Sequence, residues 1–423
     1  MPTLDALATR FPEIPPSVML KIDLLRRGVR MGLAPVGTRH YHHHDEQGQK
    51  PVDPRAHIQG SVMLPDGTTV FVAHNPASPY VIEADPDTGR IRLREGERDE
   101  FITELMPGPR FGWTAARTAQ QTPMAAVFSQ SLGGTCGPLA IFLLRYCEFT
   151  KNDEECRFCS WVRMGKSHEV RPNAADLREA LGAIWAEQES IGYLAFSGGS
   201  LFNRTKEADA FLLYMDAARE TGLRLPTTVA AIQALDRPDS ARLRGAGFDY
   251  ACYSMEVWDD AAWQAVLPGK ARSVGRAHWM ACLSDAAEEF GPGRVLCNFL
   301  AGVETAVPGL YRSPQAAADA TLEGMRWCYE QGVYPKWAVW IVSGGAVFSS
   351  HDPAPLEYYA HLIAGRRQLY AEYGLPVPAT DCRHCLTQSC EGDLAVLDPA
   401  RYAIGAAAMC DWDHHHPVAR VVN

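Results

Sequence analysis

Residues 139–159 read LAIFLLRYCEFTKNDEECRFC, and the reading of the whole chain turns on them. Leu139–Cys147 is an apolar run interrupted only by Arg145, and it reads as the first barrel strand. It leads straight into Cys147, then across eight residues to Cys156 and two more to Cys159. Two thiolates so close, with a third reached by a loop, can grip adjacent corners of one metal centre. Three soft thiolates suit an iron–sulfur cluster or zinc, and a cubane cluster held by three ligands keeps one iron open. A zinc knuckle, or a mixture of core and incidental thiols, fits the same spacing.

Working outward, apolar β-type runs alternate with stretches of helical period, as in consecutive βα units on a parallel sheet. A helix is expected at about 174–190, with Leu177, Leu181, Ile184 and Trp185 on one face. Strand Tyr193–Phe196 and a helix at about 206–221 follow, then Pro226–Gln233 with a short helix. The last three units are Phe248–Glu256 with a helix at 271–287, Arg294–Glu304 with 313–331, and Tyr334–Gly344 with 355–373. Six units without a seventh or eighth predict an α/β fold, a partial (βα)6 TIM-like barrel over residues 126–373. Chemistry in such folds collects on the loops at the C-terminal strand ends. Residues 1–125 read as a small α/β accessory unit. It has a helical pattern to about residue 33 (Leu20, Ile22, Leu24, Leu25), then short strands from about 58 to 112. Pro65-Asp66-Gly67 and Asp85-Pro86-Asp87-Thr88-Gly89 read as hairpin turns. Residues 374–423 form a cysteine-rich tail.

Composition excludes several classes. The chain has 423 residues, 47% hydrophobic and 21% charged, which is material for a buried core and not for a disordered or fibrous protein. Lys+Arg 40 against Asp+Glu 50 gives −10, which disfavours a nucleic-acid partner. No run approaches the roughly 18 apolar residues of a membrane span, and the N-terminus lacks a secretory pattern. A cytoplasmic location is expected, where twelve cysteines point to metal ligands or core thiols more than to disulfides.

The cysteine loop resembles that of the radical S-adenosylmethionine (radical SAM) enzymes. Their cluster cysteines follow the first strand of a partial (βα)6 barrel, with an aromatic residue before the last one, where this chain has Phe158. The first gap is longer here, eight residues against the usual three. Ser197-Gly198-Gly199-Ser200 is similar to the family's Gly-Gly-Glu-like motif, which binds the amino group of the methionine moiety; Ser200 replaces the usual acid. The resemblance implies that Glu256 meets the ribose hydroxyls or the amino acid part of the cofactor. It also implies that Asn298–Glu304, similar to the family's Gly-x-x-Glu-like strand, packs on adenine, with Leu300 and Gly302 in contact. Arg272 or Arg276 would pair with the cofactor carboxylate. The implied activity is reductive cleavage of S-adenosylmethionine by a [4Fe-4S] cluster on Cys147, Cys156 and Cys159. The 5′-deoxyadenosyl radical so formed takes a hydrogen atom from a substrate, with flavodoxin or ferredoxin as electron donor.

In the tail, Cys382, Cys385 and Cys390, with Cys410 further on, have the spacing of an auxiliary iron–sulfur cluster or a structural zinc. Their spacing resembles the C-terminal cluster motif of the phosphomethylpyrimidine synthases. Cys252, Cys282, Cys297 and Cys328 stand singly, as buried small hydrophobes do. Cys136 is read as a candidate substrate-side or redox thiol. His40–His44 and His414–His416 read as exposed loops, and Trp337 and Trp340 as pocket or core. A small-molecule substrate is expected. The enzymatic alternatives are a peptide or RNA substrate, or sulfur insertion. The rival of another class is a non-catalytic iron–sulfur or zinc protein.

Overall fold

The computed structural model describes residues 4–31, 61–84, 91–96, 100–107, 112–129, 139–160, 173–187, 192–375, 377–381, 383 and 388–397. Strands β1 (Arg30–Met31), β2 (Ser61–Met63), β3 (Thr69–Phe71), β4 (Tyr80–Ala84), β5 (Ile91–Glu95) and β6 (Glu100–Pro107) form the first sheet. Its order is β1-β4-β5-β6-β2-β3, antiparallel except where β1 runs beside β4. The 65–67 turn is a hairpin as expected: Leu64 N–H donates to the Thr68 carbonyl at 2.8 Å, and Gly67 takes a φ of +85°. Residues 85–90, the other expected turn, lie outside the described residues, although β4 and β5 pair up to Ala84 and Ile91 on either side.

The expected N-terminal helix is two helices, Leu4–Arg10 and Pro16–Arg27. Pro15, with φ −56° and ψ 136°, cannot continue a helix and caps the second one instead. That second helix buries Val18, Met19, Ile22 and Leu25 in a core that runs on into the barrel.

The second sheet holds β7 (Phe128–Ser129), β8 (Leu139–Leu144), β9 (Tyr193–Gly198), β10 (Thr227–Ala231), β11 (Tyr250–Cys252), β12 (Val295–Ala301) and β13 (Tyr334–Val339). From β8 to β13 each strand is parallel to the next in chain order, and β7 is an antiparallel addition beside β8. Helices Ala174–Glu187, Arg204–Arg219, Arg237–Ala246, Arg276–Phe290, Pro314–Glu330 and Leu356–Tyr373 alternate with them. This six-strand parallel sheet with its helices is the partial TIM-like barrel expected from the sequence.

Four local readings need correction. The strands expected over Arg294–Glu304 and Tyr334–Gly344 end at Ala301 and Val339, and Glu304 lies in a short 3-10 turn, Val303–Ala306. Phe248–Glu256 is regular strand only over Tyr250–Cys252; beyond it Tyr253 N–H still donates to Leu296 O, and Glu256, at a left-handed φ of +66°, bridges to Phe299 of β12. The helix expected at 271–287 is Pro268–Ser273 followed by Arg276–Phe290. Gly275, at φ +83°, separates them; few residues other than glycine adopt that conformation.

Among the described residues β13 pairs with a strand, β12, on one side only, and on the other the Val339 N–H donates to Gln388 O at 2.9 Å. Residues 377–381 and 388–397 thus cover the open end of the sheet, held by buried ion pairs. Lys336 meets Asp381 at 2.5 Å, Arg366 meets Glu391 at 3.0 Å, and Lys21 meets Asp393 at 2.6 Å. Among the described residues no helix is long and apolar enough to cross a membrane.

Candidate cofactor site at the barrel mouth

Leaving β8, the chain turns at Tyr146 and carries Cys147, Cys156 and Cys159 around a short loop. Three neighbouring elements fix that loop by its backbone. Glu148 N–H donates to Ser200 O at 2.8 Å, beyond the end of β9. Arg157 N–H donates to Val266 O, and Gly269 N–H to Glu154 O, at 2.9 and 3.0 Å, both behind β11. Phe348 N–H, beyond β13, donates to Arg157 O at 2.9 Å. An Arg272–Glu154 ion pair and a 2.7 Å bond from Phe202 N–H to the Glu148 carboxylate tie the loop further. All of these contacts lie at the C-terminal ends of the strands, the end that carries the cysteine loop.

The glycine pair has a definite structural task. A Cβ on Gly198 would stand 2.8 Å from Leu144 N, and one on Gly199 would overlap the Tyr146 carbonyl. The small residues therefore let β9 and its turn lie directly under the start of the cysteine loop. Ser197 pairs in register with Phe142 on β8, and the Ser200 carbonyl is taken by Glu148.

Across the mouth, Glu256 stays in register despite its left-handed backbone. Its N–H donates to Asn298 O, and its carbonyl accepts from Leu300 N–H, each at 2.9 Å. Its carboxylate faces Lys270 Nζ at 3.6 Å and Asn298 Nδ2 at 3.5 Å. Lys270 also donates to Ser254 O at 3.1 Å and lies over the Trp279 ring, 4.6 Å from its centroid. Burial raises the Glu256 pKa above its ordinary value, with Lys270 pulling the other way. Burial opposes the Lys270 charge, but Glu256 and Cys156 outweigh it, and the Lys270 pKa stands above normal.

Burial also pushes up the thiols of Cys147 and Cys156, although Lys270 favours the charged form of both. Cys156 feels the charges of both other cysteines and of Glu256, although the three sulfurs do not all lie within 4.8 Å of one another. Such a triad becomes thiolate when a positive centre sits among its members. An iron–sulfur cluster or zinc fits that donor set.

Other expected positions fall as follows. Asn298 and Leu300 alternate along β12 on the less buried face, toward Glu256. Gly302, at φ +98°, packs against Ala354 and Tyr359, and a Cβ there would be 2.6 Å from each. Arg276 stacks on Trp258 at 4.3 Å and donates to its carbonyl, while Arg272 is spent on Glu154. Trp337 and Trp340 are core residues, 0% and 1% exposed. Cys252, Cys297, Cys328 and Cys282 are buried as expected, but three of them are not solitary: Cys297 and Cys328 lie against each other, and the Cys282 thiol faces His278 and Asp236. Cys390 is fully buried at the head of the helix Glu391–Leu397. Cys382, Cys385, Cys410, Cys136 and both histidine clusters lie outside the described residues.

Two site features escaped the sequence reading. One is Lys270 itself, the cation that the fold turns inward from the Pro268–Ser273 helix. The other is Glu207, whose carboxylate accepts from Leu201 N–H at 2.6 Å and from Gln233 Nε2 at 2.5 Å. Gln233 Nε2 in turn donates to Leu201 O, so the pair braces the turn after β9. Burial raises the Glu207 pKa to about 7. The available signal for Lys270 was its place beside Gly269 and Ala271; Glu207, between Lys206 and Ala208-Asp209, carries no such signal.

No family model matches the chain, and neither does any curated protein. Similar solved structures include methylornithine synthase (PylB), 13% identical with a TM-score of 0.43 over 69% of this chain and 79% of that one. A radical SAM methyltransferase from Sphaerobacter thermophilus is 13% identical, with a TM-score of 0.41 over 74% and 82%. The FeFe-hydrogenase maturase HydG from Carboxydothermus hydrogenoformans is 14% identical, with a TM-score of 0.41 over 57% and 53%. These likenesses are distant, and the half-barrel rests on its own strand order.

Proposed function

We propose that the chain is a radical SAM enzyme acting on a small-molecule substrate, with a [4Fe-4S] cluster on Cys147, Cys156 and Cys159. The observation that supports it is the three-thiol loop pinned across the mouth of a half-barrel, with the buried Glu256–Lys270 pair facing it. When bound, the cluster and S-adenosylmethionine supply one-electron carbon–sulfur cleavage and hydrogen-atom abstraction from an unreactive C–H position.

The chain's own residues then bind, orient and exclude water. In this reading Lys270 takes the cofactor carboxylate, since it is the cation turned into the site while Arg272 and Arg276 are engaged elsewhere. Glu256, steadied by Asn298, receives the ribose hydroxyls or the amino acid part. Backbone atoms of Ser197, Gly198, Gly199 and Ser200 meet the amino group, because Ser200 brings no carboxylate. Adenine packs on Leu300, with Gly302 shaping the strand end behind it. The low exposure of Lys270 and Glu256 strengthens each of these polar contacts.

An auxiliary iron–sulfur cluster on Cys382, Cys385 and Cys390, with Cys410, belongs to the same reading. Its support is the cysteine spacing together with the docking of the tail beside β13. Electrons would come from a flavodoxin- or ferredoxin-type donor.

The experiment is 5′-deoxyadenosine formation by anaerobically reconstituted protein given S-adenosylmethionine and a strong reductant. Product that disappears in Cys156→Ala is the expected result. Undiminished product in that variant, or a site that loads zinc and refuses iron, overturns the assignment. For the tail, alanine at Cys382, Cys385 and Cys390 is expected to remove about four irons per chain.

A further inference from the structure

On the rim of the barrel, outside the cysteine loop, three metal-ligating side chains of different chemistry converge. Asp236 caps the helix Arg237–Ala246 after β10, and His278 and Cys282 lie one turn apart on the helix Arg276–Phe290 after β11. Residues four apart on a helix share a face, so the imidazole and the thiol point the same way. His278 Nε2 is 2.8 Å from Asp236 Oδ1, and Cys282 Sγ is 3.6 Å from that nitrogen and 3.7 Å from that oxygen.

We propose that Asp236, His278 and Cys282 form a binding site for a divalent metal ion of the zinc type. This rests on different residues from the cofactor reading and stands without it. Three donors around tetrahedral zinc are separated from one another by roughly 3.4–3.6 Å, given ordinary zinc–ligand bond lengths. Both distances to sulfur already fall near that range, and the nitrogen–oxygen distance needs only a small opening. Thiolate with imidazole selects zinc, cobalt or iron(II) over magnesium or calcium, which prefer oxygen alone.

The surroundings suit such an ion. Cys282 is 1% exposed, whereas the Asp236 and His278 side chains are half exposed, leaving an approach from solvent and a fourth position for water. Arg204 Nη2 donates to the other Asp236 oxygen at 2.9 Å, and Nη1 to Ala234 O at 2.9 Å. Its nitrogens also stand 3.2 Å from His278 Nε2 and 3.8 Å from Cys282 Sγ, so the guanidinium is the cation these donors now face, and it must draw back from the nitrogen and the sulfur for an ion to enter. With the ion bound, Arg204 keeps the outer carboxylate oxygen, the role of an outer hydrogen-bond donor at a metal site. A carboxylate and a thiolate then balance the two positive charges of the ion. The metal would clamp the loop after β10 to the helix after β11. That loop carries Gln233, which braces Leu201 beside the cysteine loop.

The test equilibrates the full-length, cluster-loaded protein with zinc, removes the excess and measures bound zinc by elemental analysis. Crystals prepared in the same way are measured for anomalous scattering at the zinc edge. We expect one zinc per chain between these three side chains, lost in His278→Gln and in Cys282→Ser. His278→Gln is the decisive variant because the residue is half exposed, and circular dichroism checks that it folds. Cys328→Ala, a buried cysteine elsewhere, is expected to keep the zinc. No anomalous peak at the cluster, or a zinc content unchanged in His278→Gln, overturns the site. Zinc bound instead at Cys147, Cys156 and Cys159 would appear at that loop, so failure of the cofactor reading is told apart by position.

Discussion

The candidate site depends on residues in conformations or environments that few sequences tolerate. Glu256 holds a φ of +66° without being glycine, at a cost of about 1–3 kcal/mol, while backbone bonds on both sides keep it there. Such strain is at home where a carboxylate must be aimed. Gly199 is constrained oppositely, by lack of space. Gly199→Ala is expected to lower stability by about 1–3 kcal/mol, because the methyl meets backbone and not a movable side chain. Its iron content after reconstitution should fall with the displaced loop, as read by absorbance and elemental analysis. Glu207 brings a pH dependence. Its folded pKa of about 7 exceeds the ordinary 4.5, so the folded state binds the proton more tightly. That contribution to stability is complete below pH 4.5 and is lost as pH rises through about 7. Glu207→Gln, which keeps an uncharged acceptor for Leu201, should remove this decline in Tm across the window; an unchanged profile would falsify the assignment.

At the scale of elements, the barrel mouth is held by connections between loops, and the tail by charges between helices. Arg366 is fully buried, paired with Glu391 at 3.0 Å, and bonded to Tyr329 Oη at 2.6 Å and Pro335 O at 2.7 Å. Tyr329, Tyr334 and Tyr370 surround it. Removing one partner of such a pair leaves the other charge buried and uncompensated. Arg366→Met should therefore cost about 3–5 kcal/mol in urea unfolding. A change within error would mean that Glu391 finds another cation or takes up a proton.

For the whole molecule, the half-barrel has an end that a closed barrel would not have. Residues 377–381 and 388–397 cover it, through a backbone bond at Val339 and ion pairs to Lys336, Arg366 and Lys21. An uncovered strand edge is a template for pairing with another chain. Deletion of residues 377–423 is expected to lower Tm and to produce self-association in light scattering. A truncated chain that stays monomeric with an unchanged Tm would show that the tail is dispensable for cover. Lys21 links the N-terminal unit to this same segment, so the three parts of the chain share one core.

The alternation of apolar strand runs with amphipathic helices was legible because each side chain's burial repeats with the period of its own element. So were the hairpin at Pro65-Asp66-Gly67 and the three-cysteine loop after the first barrel strand, since turn chemistry and cysteine spacing are local. Splitting of the helix around Gly275 was harder to see, because a lone glycine in a helical pattern does not announce its φ. Lys270 facing Cys156, Gln233 bracing Leu201, and Asp236 meeting His278 and Cys282 were not legible at all. Each joins residues that are far apart in sequence and adjacent only once the strands stand side by side. By itself the sequence determined the order of elements and the end of the sheet where polar residues gather, because these follow from short-range periodicity. Only the tertiary structure decided which charges enter the site and which donors meet on the rim, because burial and approach within a few ångströms are properties of packing.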